Sequence, residues 1–327
     1  MAHFHPDLTA ARFIPSFSFG PRITALANRA PVRPGQGPDD LIVEDLLIPG
    51  PMDAPDIDIR VYRPRDAVGS TPALLWVHGG GMITGNRLSD ERTNAAFVRS
   101  LGITVVSVEY RLAPAHPAPA AVEDVYATFR WLVDHAREQR IDGSRIALGG
   151  ASAGAGLAAA TALMALDSGG SQPAFQLLIY PMLDDRTVVR GDHQVRGVRV
   201  WTKGSNRYAW SAYLGHPPGG ENVLDYAAPA RRADLRGLPP AWIGVGSNDL
   251  FHDEDVRYAE RLREAGVPCE LVVVDGAFHG FDILMSGRPV SQSFWRAQEA
   301  ALRKAFGVDS PADAAAGDDT RERPTPE

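Results

Sequence analysis

The stretch that decides the fold is Ala147-Leu-Gly-Gly-Ala-Ser-Ala-Gly-Ala-Gly-Leu157. Apolar residues lead into Gly150-Ala-Ser-Ala-Gly154, and an alanine-rich run follows. This pattern predicts a strand, a sharp turn with Ser152 at its apex, and then a helix. A nucleophile elbow of this kind needs glycines two residues on either side of the serine, because a side chain there would collide within the turn. The motif is short, so its meaning depends on what the rest of the chain supplies.

Composition restricts the class of protein. The 327 residues are 44% hydrophobic and 22% charged, which is ordinary for a soluble globular chain. With 40 acidic and 33 basic residues the net charge is −7, which argues against a nucleic-acid-binding surface. No run approaches the ~18–20 apolar residues of a membrane span, and residues 1–7 lack a signal-peptide pattern. We therefore expect a cytoplasmic protein, and the absence of metal-ligand spacing predicts no metal.

Short apolar or alternating runs recur along the chain, and each is predicted to be a strand. They are residues 41–48, 57–62, 73–77, 103–108, 145–148, 175–180, 241–245 and 270–274. Helical periodicity is found at 119–138, 153–166, 253–265 and 291–306. Strands that alternate with helices indicate an α/β fold, with about eight strands in a mostly parallel sheet and helices on both faces. Ligands of such sheets bind beyond the carboxyl ends of the strands.

Three further segments complete the predicted organisation. Residues 1–40 carry aromatic residues among prolines and glycines and are interpreted as an arm that forms part of a cap. Residues 41–307 form the predicted catalytic domain, with a helical cap insertion at about 185–222 where no strand pattern is found. A plain surface excursion is the alternative, although long loops without structure are uncommon in compact domains. Residues 308–327 lack apolar periodicity and are predicted to be a disordered tail.

His78-Gly79-Gly80-Gly81 directly follows the predicted strand at 73–77. Consecutive glycines let backbone amides point into a site, which suits the oxyanion that develops during acyl transfer. A phosphate-binding loop is the alternative, but the Gly-Lys-Ser/Thr sequence of such loops is absent. We expect the amides of Gly79, Gly80, Gly81 and Ala153 to form an oxyanion hole, and His78 to brace the loop by a hydrogen bond.

A nucleophilic serine also needs a base and an acid. His279 follows the strand at 270–274 by a short loop, and Asp249 lies in the exit Ser247-Asn248-Asp249 of the strand that begins at Ala241. The chain order Ser152, Asp249, His279 is the order of α/β-hydrolases. These positions predict a catalytic triad.

The sequence around Asp249 offers competitors for these roles. His252 is the other candidate for the base, because it lies beside acidic residues. Asp253, Glu254 and Asp255 begin a predicted helix, where acidic side chains stabilise the helix dipole and need no other role.

Taken together, the motifs resemble those of the hormone-sensitive-lipase-like esterases, the HGGG branch of the α/β-hydrolase fold. The resemblance covers roughly residues 40–306 and implies hydrolysis of carboxylic esters, mostly with short or medium acyl chains and without a cofactor. It also implies Ser152 as nucleophile, His279 as base and Asp249 as its orienting partner, and it allows a homodimer formed through an edge strand. The motifs are His78–Gly81, Tyr110–Asp124, Gly150–Gly154, Tyr180–Asp184, Leu238–Trp242, Asp249–Glu254 and His279–Phe281.

The chain departs from the family pattern at three positions. Ala151 stands before the serine where aspartate is usual, which puts the bracing of nearby loops or the substrate range in question. Met82 follows the glycines where an aromatic residue is common, and Leu250 follows Asp249 where proline is common. None of these departures removes a member of the predicted triad.

The sequence therefore predicts a serine carboxylesterase that acts on a small-molecule ester through an acyl-enzyme. One alternative keeps the triad but changes the bond to an amide, a lactone or a carbamate, since the same residues serve all of these. The other is a non-catalytic small-molecule receptor, because the chain also resembles the gibberellin receptors. Those receptors usually lose the catalytic histidine, whereas His279 is present here.

Overall fold

The computed structural model describes residues 3–15, 18–29, 35, 37–190 and 197–308. Residues 309–327 of the predicted tail, and residues 191–196 of the predicted cap insertion, lie outside the described residues. The strands are β1 Leu41–Ile48, β2 Ile57–Pro64, β3 Thr71–Val77, β4 Thr104–Val108, β5 Ile141–Ala151, β6 Phe175–Ile179, β7 Ala241–Gly246 and β8 Cys269–Val274. The helices are α1 Pro21–Ala27, α2 Glu91–Leu101, α3 Ala120–Asp134, α4 Ala153–Ser168, α5 Lys203–Leu214, α6 His252–Glu264, α7 Phe281–Leu284 and α8 Pro289–Phe306.

The strands form one eight-stranded sheet in the order β1-β2-β4-β3-β5-β6-β7-β8. From β4 to β8 all neighbours are parallel, and β1 and β2 add an antiparallel hairpin at one edge. The prediction of an α/β-hydrolase fold with a mostly parallel sheet is confirmed. Because β3, β5, β7 and β8 are parallel, their carboxyl ends lie at the same edge of the sheet.

Both faces of the sheet are covered, which explains why the central strands are continuously apolar. Helices α3, α4 and α6 contribute to a core on one face, together with α5. Helices α2 and α8 build the core on the other face, where Leu8 and Ala11 of the arm are also buried. In the part of the chain that the structure describes, no helix is both long enough and apolar enough to cross a bilayer.

Two elements differ from the sequence prediction. Strand β5 starts at Ile141 and not at 145. The turn-forming residues at 142–144 belong to the strand because its pairing with β3 is irregular there, with a register shift between Thr71 and Ala73. Helix α2 was missing from the prediction. It follows Asp90, ends at Gly102 in the left-handed region, and buries Phe97 against the sheet.

Candidate active site

The turn at Ser152 is tight because backbone packs against backbone. Strand β5 ends at Ala151 and α4 begins at Ala153, which leaves Ser152 at φ 58° and ψ −121°. A positive φ is rare for a non-glycine residue and marks a strained turn. A Cβ at Gly150 would lie 2.5 Å from the Val77 carbonyl oxygen, and one at Gly154 only 2.0 Å from it. The two glycines are therefore required by the close approach of β3.

Three side chains from three strand ends form one hydrogen-bonded chain. Nδ1 of His279 is 2.7 Å from Oδ2 of Asp249, and Nε2 of His279 is 3.0 Å from Oγ of Ser152. An ionised carboxylate accepts hydrogen bonds only, so Nδ1 carries the proton and Nε2 is left to accept from the serine hydroxyl. The other carboxylate oxygen of Asp249 accepts from the Phe251 amide at 3.0 Å. The structure thus brings together the three residues that the sequence singled out.

Aromatic rings surround the imidazole of His279. The Tyr180 ring lies 4.7 Å from it and the Phe251 ring 5.3 Å, both edge-on, and the Trp201 ring is 6.5 Å away. Sequence reasoning missed these neighbours. Tyr180 directly follows β6, at the same edge of the sheet as Ser152, and that position was the signal that could have found it.

The glycine loop after β3 has the backbone conformation that the sequence prediction requires. Gly80 and Gly81 have φ of 113° and 66°, a region that only glycine enters at little cost. Their amides donate no hydrogen bond to any described residue. Gly79 lies against the serine turn, where a Cβ would be 3.1 Å from the Ala151 carbonyl oxygen. Ala153 is the first residue of α4, so helix geometry leaves its amide without an intrahelical acceptor.

His78 braces this loop and stays away from the triad. Its Nδ1 donates to the Gly79 carbonyl at 2.8 Å, and its ring stacks on Tyr110 with 4.2 Å between centroids. The Tyr110 hydroxyl donates to the His78 carbonyl at 2.9 Å. Burial lowers the pKa of His78 to about 4, so this imidazole is neutral near pH 7 and serves as a support.

The competitors around Asp249 have other partners. His252 lies at the start of α6 with its Nδ1 2.7 Å from an Asp253 carboxylate oxygen. The interpretation of Glu254 as an acid with no role beyond the helix dipole was wrong. This buried carboxylate accepts from the amides of Leu183 and Asp184 at 2.7 and 3.1 Å, and so holds the loop after β6.

The arm and the segment around α5 meet beside the triad. The Phe19 and Trp201 rings are 5.7 Å apart, and the Ser18 and Thr202 hydroxyls are 2.6 Å apart. A Cβ at Gly81 would lie 2.4 Å from the Trp201 ring. Trp201 therefore lies between the glycine loop and the arm.

The beginning of the arm contacts the loops that carry Asp249 and His279. Nδ2 of Asn248 donates to the His3 carbonyl at 2.5 Å, and the His5 amide donates to the Gly276 carbonyl at 3.2 Å. Asn248 directly precedes Asp249, and Gly276 lies in the loop that leads to His279. The described residues contain no group of three or more His, Cys, Asp or Glu side chains that could hold a metal ion.

Comparisons with known proteins identify the fold and the family of this chain. A family model described as alpha/beta hydrolase fold matches residues 74–283. Esterase LipI of Mycobacterium tuberculosis is 38% identical over 260 residues, covering 77% of each chain. Ethyl acetate hydrolase of Pseudomonas putida is 32% identical over 263 residues, covering 72% of this chain and 79% of its own.

Solved structures of esterases are also similar to this chain. A bacterial heroin esterase superposes with a TM-score of 0.83 at 36% identity, covering 93% of this chain and 98% of that one. Esterase LipW of Mycobacterium marinum superposes with a TM-score of 0.73 at 34% identity, covering 87% of this chain and 86% of that one. The family model and the relatives lead to one conclusion: the chain belongs to the hormone-sensitive-lipase-like carboxylesterases of the α/β-hydrolase fold.

Proposed function

We propose that this chain hydrolyses short- to medium-chain carboxylic esters through Ser152, His279 and Asp249, by way of an acyl-enzyme. The observation that supports this most directly is the hydrogen-bonded chain between the three side chains, with distances of 2.7 and 3.0 Å. Both distances lie in the range of 2.6–3.2 Å, roughly, that proton transfer between a nucleophile and its base requires. The three residues are also buried, so few water molecules compete for these bonds.

The proposed reaction has two halves. Ser152 Oγ attacks the ester carbonyl carbon while Nε2 of His279 takes its proton, and the tetrahedral intermediate then collapses. The ester C–O bond breaks, the alcohol leaves with the proton from Nε2, and the acyl group stays on Ser152. Water then loses a proton to Nε2 and attacks the acyl carbon. The bond between this carbon and Ser152 Oγ breaks, Nε2 returns the proton to Oγ, and the carboxylic acid is released. Asp249 holds the Nδ1–H tautomer and stabilises the imidazolium without taking the proton.

The oxyanion of both intermediates is assigned to backbone amides of the loop Gly79–Gly81 and of Ala153. The amides of Gly80 and Gly81, which donate to none of the residues that the structure describes, support this assignment. Donors that are fixed before the reaction stabilise the developing charge without reorganisation, and each is worth about 2.7–4 kcal/mol.

A cap formed by residues 1–40 and 185–222 belongs to the same proposal. The contacts of Phe19 and Ser18 with Trp201 and Thr202 support it. The Trp201 ring beside the glycine loop restricts the space there, which favours small acyl groups. The relative named for ethyl acetate, an ester of two small groups, agrees with this preference. A homodimer through an edge strand and a cytoplasmic location stay predictions from the sequence and the resemblance.

Replacing Ser152 with alanine tests the assignment. We expect kcat on p-nitrophenyl butyrate to fall about 10⁶-fold, as in other triads that act as a unit. The matched control is Ser171→Ala, an exposed serine outside the site. Hydrolysis by Ser152→Ala at a rate near that of the unmodified enzyme would contradict the proposal.

A series of p-nitrophenyl esters from acetate to decanoate tests the proposed preference for short and medium acyl chains. We expect kcat/KM to be highest for the short and medium acyl chains and to fall for the longest. An anilide of the best acyl group, measured beside the ester, separates ester from amide hydrolysis, and comparable kcat/KM values for the two would favour the amide alternative.

A further inference from the structure

A cavity of about 410 Å³ lies between α2, α7 and α8. Its floor is buried and is formed by residues at the ends of β3, β5 and β6, namely Trp76, Ala151, Ile179 and Tyr180. No member of the proposed triad or of the glycine loop lines it. Its volume lies in the range of about 300–1,000 Å³ that is typical of small-molecule sites.

The rim of this cavity carries two arginines on facing helices. Arg92 lies on α2 and Arg296 on α8, and both are exposed. The two helices are held together by the Phe97 and Trp295 rings, whose centroids are 4.3 Å apart. Neither arginine forms an ion pair with a described residue, and Arg296 donates to the Ser293 hydroxyl at 3.0 Å. Two such guanidinium groups at one opening favour an anion, most of all a carboxylate.

The interior has a different character from the rim. Trp76, Ile179, Ile283 and Trp295 give it apolar walls, which suit a hydrocarbon body. The acid inside is Asp282, which accepts from the Tyr180 hydroxyl at 3.0 Å and whose pKa burial raises to about 6. A ligand that keeps its charge at the rim avoids this carboxyl.

We propose that this cavity is a binding site for an amphipathic monocarboxylate. The carboxylate lies between Arg92 and Arg296, and the apolar chain lies against Trp76, Ile179 and Trp295. The proposal stands on charge and shape and does not depend on the proposed reaction. The cavity nevertheless adjoins the active site, because Tyr180 on its floor packs against the His279 ring at 4.7 Å.

Calorimetry with sodium decanoate tests the site. The protein is first treated with an organophosphonate that labels Ser152, so that the space around this serine is occupied and only other sites bind the acid. We expect one decanoate per chain. The Kd should be at least tenfold higher in Arg92→Gln/Arg296→Gln, because this variant loses the charge-assisted hydrogen bonds to the carboxylate. Arg257→Gln, an exposed arginine on α6 without a described ion pair, is the matched control and should leave Kd unchanged.

A second variant fills the space without changing the charge. Ala96 on α2 lines the cavity, and Ala96→Phe should abolish decanoate binding while both arginines stay in place. The proposal is overturned if the labelled protein binds no decanoate, if the double arginine variant binds it as before, or if decylamine binds more tightly. Should the phosphonate fail to label Ser152, the proposed reaction fails, and the arginine and Ala96 variants still decide the binding site in unlabelled protein.

Discussion

On the α4 side of the turn at Ser152, main chain lies against main chain, and a Cβ at Gly154 would be 2.0 Å from the Val77 carbonyl oxygen. On the α8 side the same turn borders a cavity of about 410 Å³, which Ala151 lines with a methyl group. The α4 side, called the closed side below, is therefore fixed by backbone contacts. The α8 side, called the open side, is bounded by side chains that can be substituted. This difference explains how the chain can carry alanine at 151 and still hold the serine in hydrogen-bonding distance of His279.

The largest effect is expected on the closed side. Alanine is normally better than glycine within a helix by about 1 kcal/mol, but Gly154→Ala would push α4 away from Val77 and His78. We expect the free energy of unfolding to fall by about 3 kcal/mol or more, the upper end for overpacked cores. The glycine loop that follows His78 would shift as well, so kcat/KM should fall with stability.

Urea unfolding of Gly154→Ala beside Gly287→Ala measures this effect. Gly287 has open space around it and does not occupy the left-handed region, so its substitution should change the unfolding free energy little. A Gly154→Ala variant as stable as the unmodified protein would show that the backbone contact is not tight.

An effect of intermediate size is expected from Asp282 on the open side, and it depends on pH. Burial raises the pKa of this carboxyl from 3.8 to about 6, against the opposing influence of the Tyr180 hydroxyl and of His279. Between these two values the folded state binds more protons than the unfolded state, so this group lowers stability as the pH rises from about 4 to about 6. Asp282→Asn removes that loss while it keeps an acceptor for Tyr180.

The measurement is the melting temperature at pH 4 and at pH 7. The melting temperature of Asp282→Asn minus that of the unmodified protein should become more positive at the higher pH. Asp66→Asn, at an exposed position, is the control and should give the same difference at both pH values. An equal difference for Asp282→Asn at pH 4 and pH 7 would contradict the raised pKa.

The smallest effect is expected at Ala151. Valine adds two methyl groups, which can extend into the cavity, and valine is favoured in strands. We expect Ala151→Val to change the unfolding free energy by less than about 1 kcal/mol, because no overpacking arises where space is free. A loss as large as that of Gly154→Ala, measured in the same urea series, would show that the two sides of the turn are equally closed.

Local patterns in the sequence predicted most of the sheet and the order of the candidate site. Strand periodicity identified all eight strands, since continuous apolar runs mark strands that are covered on both faces. Ser152, Asp249 and His279 were found because each directly follows such a run, or does so after a short loop, and parallel strands bring these positions to one edge. Predicting this part of the structure requires no knowledge of long-range contacts.

The missed features depend on such contacts. Tyr180 and Asp282 are 102 positions apart in sequence, and no local pattern pairs them or places the Tyr180 ring against His279. The role of Glu254 was missed for a similar reason. Its carboxylate oxygen accepts a hydrogen bond from the amide of Asp184, which lies 70 residues earlier in the chain. Helix α2 had the right periodicity, but its boundaries were obscured by the polar turn residues before Asp90.

The contact between His3 and Asn248 has a consequence for folding order. It joins positions 245 residues apart, and the conformational entropy of closing a loop grows with its length. We expect contacts of such high sequence separation to form late, after strands and hairpins have already shortened the path between the chain segments. The loops that carry Asp249 and His279 then receive this support from the arm at the end of folding, so we expect esterase activity to be recovered later than secondary structure during refolding.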